Sequence, residues 1–205
     1  MKKTFFLLLS TLMSFTVAQA QDDGPKLAKQ AGRALTSYNM DPQGSGAKLE
    51  EAKTKIDQAM ASAEVQATAS SWLTRGEIYN TILQRDMTMR MINPNAALTG
   101  DNDALEAFNA YQKVYEMPTA KKFEKGDAVK GMAAVQGHLI NIGVAKFEAG
   151  QHDKAFQSFE AVLKSHDALV AEKQKSLLDD KDMRENQIYY TAYSAQMAKR
   201  IADAD

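Results

Sequence analysis

Residues 141–163 read NIGVAKFEAGQHDKAFQSFEAVL, and this stretch decides the fold. Gly143 sits in one expected helix, Gly150 breaks the chain seven residues later, and Asp153 opens a second helix. In the second helix Ala155, Phe156, Phe159, Val162 and Leu163 fall at i, i+1, i+4, i+7 and i+8, a single apolar stripe down one face. Two short helices joined by a Gly-containing turn, each apolar on one side, make a hairpin that cannot bury its stripe alone. Such a unit has to stack on others of its kind.

The chain supplies them. Ala107, Phe108, Tyr111, Val114 and Tyr115 repeat the spacing, and Ala52, Ile56, Ala59 and Met60 repeat it with Lys53 in the second place. Ahead of the middle copy lies Trp72-Leu73-Thr74-Arg75-Gly76-Glu77-Ile78-Tyr79. This segment resembles the first helix of the tetratricopeptide repeat (TPR), W-x-x-L-G-x-x-Y, with Arg75 where the family usually has Leu. In residues 141–163 twelve positions separate Gly143 from Ala155, as in that 34-residue repeat, with Lys146 in place of the usual Tyr and Phe147 beside it. The wording LEEAKTKIDQAM (49–60) followed by SWLTRGEIYNTI (71–82) is similar to secreted TPR proteins of Bacteroidetes-type bacteria. The resemblance implies an all-α TPR-like solenoid of about three hairpins plus a final helix over residues 21–205. That final helix either caps the array or continues it into a longer chain.

Taken from its start, Met1-Lys2-Lys3 is basic, Thr4 to Val17 is mostly apolar and uncharged, and Ala18-Gln19-Ala20 forms an A-x-A cleavage site. Residues 1–20 are expected to be a secretory signal peptide, which places the mature chain in the periplasm or outside a Gram-negative cell. Gln19, Gln21, Asp22 and Asp23 cut the apolar run short of the roughly 20 residues a membrane span needs, so no membrane insertion is expected after cleavage. Loss of Lys2 and Lys3 from 25 basic residues leaves 23 against 26 acidic ones, a net charge of −3. No long Lys/Arg run offsets it, so a nucleic-acid partner is not expected. The absence of Cys removes disulfides, thiolate metal sites and Cys nucleophiles.

The expected helices run from about 25 to 37, 48 to 60, 68 to 84, 103 to 117, 128 to 149, 153 to about 166, and 184 to 202. Pro25 suits the first turn of the first helix, and Pro42, Gly44 and Gly46 mark the loop after it. Arg85 to Asp101 is expected to interrupt the repeat as a loop containing Asn93-Pro94-Asn95 and Gly100. Asp101-Asn102-Asp103 lacks the Gly and distal Glu of a calcium loop; Asp103 with Glu106 three residues on is expected to be a capping box. Thr119 to Asp127, with Lys121, Lys122 and Lys125, is expected to be a solvated connector, and Leu169, Val170, Leu177 and Leu178 either to prolong the sixth helix or to form a small extra one.

No chemical motif emerges. His138, His152 and His166 fall within a helix, at a hairpin turn and at a helix end, where they do not naturally converge. G-x-S-x-G, H-E-x-x-H and Gly-rich phosphate loops are absent, so no catalytic residue, metal ligand or cofactor is expected. An exported hydrolase or metal-dependent enzyme would require a constellation outside these motifs.

The resemblance places a partner groove on the concave face of the first helices. Matched residue by residue, that face is Leu73, Glu77 and Asn80; Ile140, Val144 and Phe147; and Tyr189, Tyr193 and Met197. It is largely apolar and aromatic, and it lacks the Lys, Arg and Asn set with which some TPR domains hold a terminal carboxylate. The expected function is a non-catalytic scaffold for a protein or peptide partner. An assembly subunit whose groove is filled by further repeats or by another chain is the alternative.

Overall fold

The computed structural model describes residues 23–93, 100 and 102–199, so the signal-peptide reading of residues 1–20 lies outside the described residues. The helices are α1 (Gly24–Met40), α2 (Gly46–Ala59), α3 (Ala63–Gln66), α4 (Ala69–Ile92), α5 (Asp103–Glu116), α6 (Lys122–Glu148), α7 (His152–Ala171) and α8 (Lys181–Met197). A single 3-10 turn, Leu177–Asp179, precedes α8, and no strand occurs among the described residues. The long helices pack mainly on their chain neighbours: α1 on α2, α4 on α5, α5 on α6, α6 on α7 and α7 on α8, with further contacts of α4 to α2 and α6.

The repeated stripes are what these contacts bury. Ala52, Ile56 and Ala59, then Ala107, Phe108, Tyr111 and Val114, then Ala155, Phe156, Phe159 and Val162 are all buried. Two core clusters result, and α4 belongs to both. Ile78 and Ile82 join the α1–α2 cluster, whereas their neighbours Tyr79 and Leu83 join the cluster of α5, α6 and α7. Adjacent residues of a helix point 100° apart, so these pairs give α4 two apolar flanks.

Glycines set the closest approaches. The ring of Tyr111 lies between Gly76 of α4 and Gly131 of α6, where an added Cβ would come within 2.5 and 2.4 Å of it. A Cβ added at Gly143, farther along α6, would come within 2.4 Å of the ring of Phe159. The ring that fills the space left by the missing side chain of Gly143 belongs to Phe159, one turn beyond the Ala155 with which the repeat spacing pairs it. Gly131 and Gly143 are twelve residues apart, or about 18 Å along the axis. One half of α6 thus packs on α5 and the other on α7. Gly150, at φ +72°, ends the helix in the left-handed conformation a Gly accepts without strain.

Several boundaries differ from expectation. Arg85 to Ile92 is helix, not loop: Arg85 pairs with Glu50 of α2 at 2.7 Å and with the buried Asp86 at 3.0 Å, and these partners hold the extra turns. Most of the expected connector is likewise the start of α6, where the Glu124 carboxylate accepts the Lys121 backbone N–H at 2.7 Å. Asp103 and Glu106 do not form the capping box. Asn102 flanks the helix, Asp103 is buried in its first turn, and Glu106 accepts a hydrogen bond from Arg75 at 2.8 Å instead. The sixth expected helix does continue, to Ala171, and Leu177 and Leu178 form the 3-10 turn. The short α3 was not anticipated; the Ser62 hydroxyl caps it by accepting from Val65 N–H.

Candidate partner interface

The buried face of α8 is polar rather than aromatic. Gln187, Thr191, Ser194 and Ala195, at i, i+4, i+7 and i+8, are its buried residues. The Gln187 amide donates to the Phe159 carbonyl at 3.1 Å, and Thr191 donates to the Gln187 carbonyl at 2.7 Å. With that face committed, Tyr190 and Tyr193 reach the C-terminal end of α6, and Tyr190 also lies 6.0 Å from the Phe159 ring of α7. There the Phe147 ring lies 5.4 Å from Tyr193, 6.1 Å from Tyr190 and 5.0 Å from His152, while Tyr189 stacks on Tyr193 at 5.8 Å. Tilted and edge-on pairs of this kind contribute about 0.5–1.5 kcal/mol each beyond their buried area. The surface stays open: Tyr189 is 60% exposed, Met197 45%, Val144 39% and Tyr193 37%.

Of the nine residues assigned to a groove, α6 and α8 bring together Phe147, Tyr189 and Tyr193, with Val144 and Met197 one turn from them. Leu73 and Ile140 are half-buried and pack against the larger core cluster. Glu77 and Asn80 stand elsewhere. Gly76 and Gly131 share the Tyr111 ring, so Glu77 is level with the first half of α6, and Phe147 lies sixteen residues beyond Gly131, roughly 24 Å along the helix. The repeat match missed this offset because it aligned Gly76 with Gly143, whereas the glycine level with Gly76 is Gly131. Protein packed around Glu77, and then the negative Asp127 of α6, raise its carboxyl above the usual range. Asn80, one turn on, has its side-chain carbonyl oxygen buried with no hydrogen-bond donor.

Position-by-position matching also overlooked a polar network between α2, α4 and α5. Arg75 pairs with Asp57 through one guanidinium nitrogen and with Glu106 through the other at 2.8 Å. Asp57 also accepts from Tyr79 at 2.8 Å and from Lys53 at 3.0 Å, and both cations lie over the Tyr79 ring. Burial opposes the charge on Asp57, but Lys53, Tyr79 and Arg75 outweigh it and hold the carboxyl low. The signal was present in the sequence: Arg75 occupies a position where the repeat pattern has Leu. Next to this network Asp103 is pushed up to about 6 by burial, against the pull of Lys53, with Asp86, Glu106 and Glu50 adding to the rise.

A second network holds the connector before α8. Gln136 is buried in α6; its amide donates to Ser165 at 2.9 Å and Ser176 at 3.0 Å, and its carbonyl accepts from Leu177 N–H at 2.8 Å. These are structural bonds.

Among the described residues no group of three or more His, Asp or Glu is placed to hold a metal ion. His152 faces Phe147, and burial lowers the pKa of the half-buried His138. A cleft of about 290 Å³ separates α1, α3 and α4, lined by Lys29, Glu64, Ser70, Ser71 and Thr74. Another, of about 300 Å³, lies between α5 and α7 over Met132. No protein-family model matches this chain, and neither a curated protein nor a solved structure matches it.

Proposed function

We propose that this chain is an exported, tetratricopeptide-like helical array acting as a non-catalytic interaction module, and that a protein or peptide partner docks where α6 meets α8. The observation that carries the reading is the open aromatic surface of Phe147, Tyr189 and Tyr193, whose rings contact one another while Tyr189 remains 60% exposed. Amphipathic rings of this kind dominate binding energy where they are found at interfaces. The repeat reading is supported by the recurrence of one contact. Tyr111 and Phe159 each follow the first Ala of their stripe by four residues, and each seats its ring on a glycine of the preceding helix. Export rests on the basic start, apolar run and A-x-A site. Intact-mass measurement of protein from the native host tests it, and a soluble form retaining Met1 refutes it. Among the described residues, no helix is long and apolar enough to cross a membrane.

The functional test is affinity capture from envelope extract with the tagged protein, followed by Phe147→Ala and Tyr193→Ala variants against the partner returned. Each truncation at a hot spot lowers affinity by about 2 kcal/mol or more. Loss of affinity with helicity and melting temperature intact supports the surface; unchanged binding by a folded double variant moves the site elsewhere. A second reading, an assembly subunit whose groove is filled by another chain or by further repeats, is favoured by the exposure of Ile188, Tyr189 and Met197 on α8, which no helix among the described residues covers. Under that reading the captured partner is a stable, stoichiometric component of one complex.

A further inference from the structure

α8 is amphipathic in the reverse of the usual sense. Gln187, Thr191, Ser194 and Ala195 face inward, whereas Ile188 is 51% exposed, Tyr189 60% and Tyr193 37%. No residue from Asn186 to Ala198 is charged, in a chain where a quarter of all residues are. At 100° per residue, Asp182, Glu185, Tyr189, Ala192 and Gln196 fall within about 80° of one another, on the side opposite the buried one. Ala192 is half-buried and the other four are exposed. Their spacing alternates three and four, the pattern along which one helix meets another in a seam. Lys199, three residues past Gln196 and also exposed, continues that pattern beyond the helix end.

Resting on the reading that α8 carries a docking surface, we propose that its occupant is a second copy of this chain, the two α8 helices packing antiparallel about a two-fold axis. The stripe is complementary to itself in that arrangement. A two-fold that sets Tyr189 of one copy opposite Ala192 of the other also sets Glu185 opposite Gln196 and Asp182 opposite Lys199. All three pairs are centred on the same point, between Tyr190 and Thr191. Each tyrosine ring then covers a small residue, as Tyr111 covers Gly76 and Phe159 covers Gly143 within the chain. Glu185 meets an amide donor and Asp182 a cation, so a matched polar rim surrounds an apolar centre. Parallel alignment would instead set Asp182 against Asp182 and Glu185 against Glu185, like charge on like. At about 200 Å² for a large side chain, Ile188, Tyr189 and Tyr193 leave roughly 300 Å² open in each copy, and the polar residues of the stripe bring this to roughly 500 Å². Two copies thus cover about 1,000 Å² in all, the least a specific interface needs, so the dimer is reversible.

The test is sedimentation equilibrium of the purified protein, which should pass from monomer to dimer across micromolar concentrations. Tyr189→Glu should weaken association at least tenfold with helicity and melting temperature unchanged, since the side chain lies on the outer face. Asp182→Lys should weaken it about threefold at low salt, and adding Lys199→Glu should restore it. Because the chain has no Cys, a thiol cross-linker reports introduced ones only. Glu185→Cys mixed with Gln196→Cys should cross-link through a short bismaleimide; either variant alone should not, because its two thiols stand about 16 Å apart along the helices. A monomer throughout this range overturns the inference, as does a dimer that survives Tyr189→Glu or that cross-links as well without the mixture. If partner capture still depends on Phe147 and Tyr193 in that event, the docking surface stands without self-association; if it does not, both readings fall.

Discussion

Gly143 of α6 lies against the ring of Phe159 of α7, so closely that a Cβ on Gly143 would stand 2.4 Å from one ring carbon and 2.6 Å from the next. Phe159 is 1% exposed and its backbone carbonyl accepts from Gln187, so the ring has little freedom to withdraw. Gly143→Ala should therefore destabilise the protein by about 1–3 kcal/mol through overpacking. That cost exceeds the roughly 1 kcal/mol by which Ala is the better helix former. A urea midpoint for Gly143→Ala equal to or above that of the parent would contradict the contact. Gly126, with no atom within 4 Å of an added Cβ, is the control: Gly126→Ala should be neutral or stabilising.

Arg75 offers the opposite experiment, restoring the residue the repeat pattern expects. Arg75→Leu leaves Asp57 and Glu106 without their shared cation, although Lys53 and Tyr79 still serve Asp57. Both carboxylates keep a third or more of their side-chain surface in solvent, so screening limits the loss to about 1–2 kcal/mol. In a double-mutant cycle with Asp57→Asn the two changes should be non-additive by more than 0.5 kcal/mol or so. Additivity would mean that the pair contributes nothing to stability.

These two positions also mark what the sequence disclosed and what it withheld. The three stripes were legible because a helix face repeats every 3.6 residues, and burial of Ala107, Phe108, Tyr111 and their counterparts follows directly. Helix ends were legible where local chemistry sets them, as at Pro25 and Gly150. They were misplaced where distant partners decide: Arg85 extends α4 through Glu50, thirty-five residues earlier, and Glu106 leaves its expected capping role for Arg75. At the proposed partner surface, Phe147, Tyr189 and Tyr193 were picked out by matching the repeat, and their rings do lie together. Their distance from Glu77 was not legible, because it depends on which glycine of α6 meets Tyr111, and Gly131 and Gly143 are equally plausible on spacing.

Gln136 anchors the connector before α8 more firmly than the charged composition of residues 172–182 would suggest. Gln136→Leu leaves Leu177 N–H without its acceptor and removes two donors from Ser165 and Ser176. The expected cost is about 2–3 kcal/mol, since the group is buried. The local signature is faster hydrogen exchange at Leu177 and Leu178 amides. Uniform acceleration across α7 and α8 would instead indicate a general loss of packing.

Stability should pass through a maximum on the acid side of neutrality, because two sets of carboxyls titrate in opposite senses. Asp103, at about 6 against an ordinary 3.8, binds a proton more readily folded than unfolded, and Glu77 is raised in the same direction. For such groups the unfolded state holds fewer protons between the two pKa values, so lowering the pH from 7 toward 5 stabilises the fold. Asp57 and Glu51 are lowered in the folded state, so what they contribute is present above their unfolded pKa and is lost as the pH falls below about 4. Melting temperature should thus rise from pH 7 to about 5 and fall below about 4. Asp103→Asn removes most of the first limb, and at pH 7 it should raise stability by about 1–3 kcal/mol, the cost of holding that carboxylate charged while buried, with Asp86, Glu106 and Glu50 adding to it against the pull of Lys53. The second limb should persist in that variant, because Asp57 keeps its pairing with Lys53 and Arg75. A melting temperature that falls steadily from pH 7 to pH 5 in the parent protein, or an Asp103→Asn variant less stable than the parent at pH 7, would show that Asp103 is held charged by the fold rather than opposed by it.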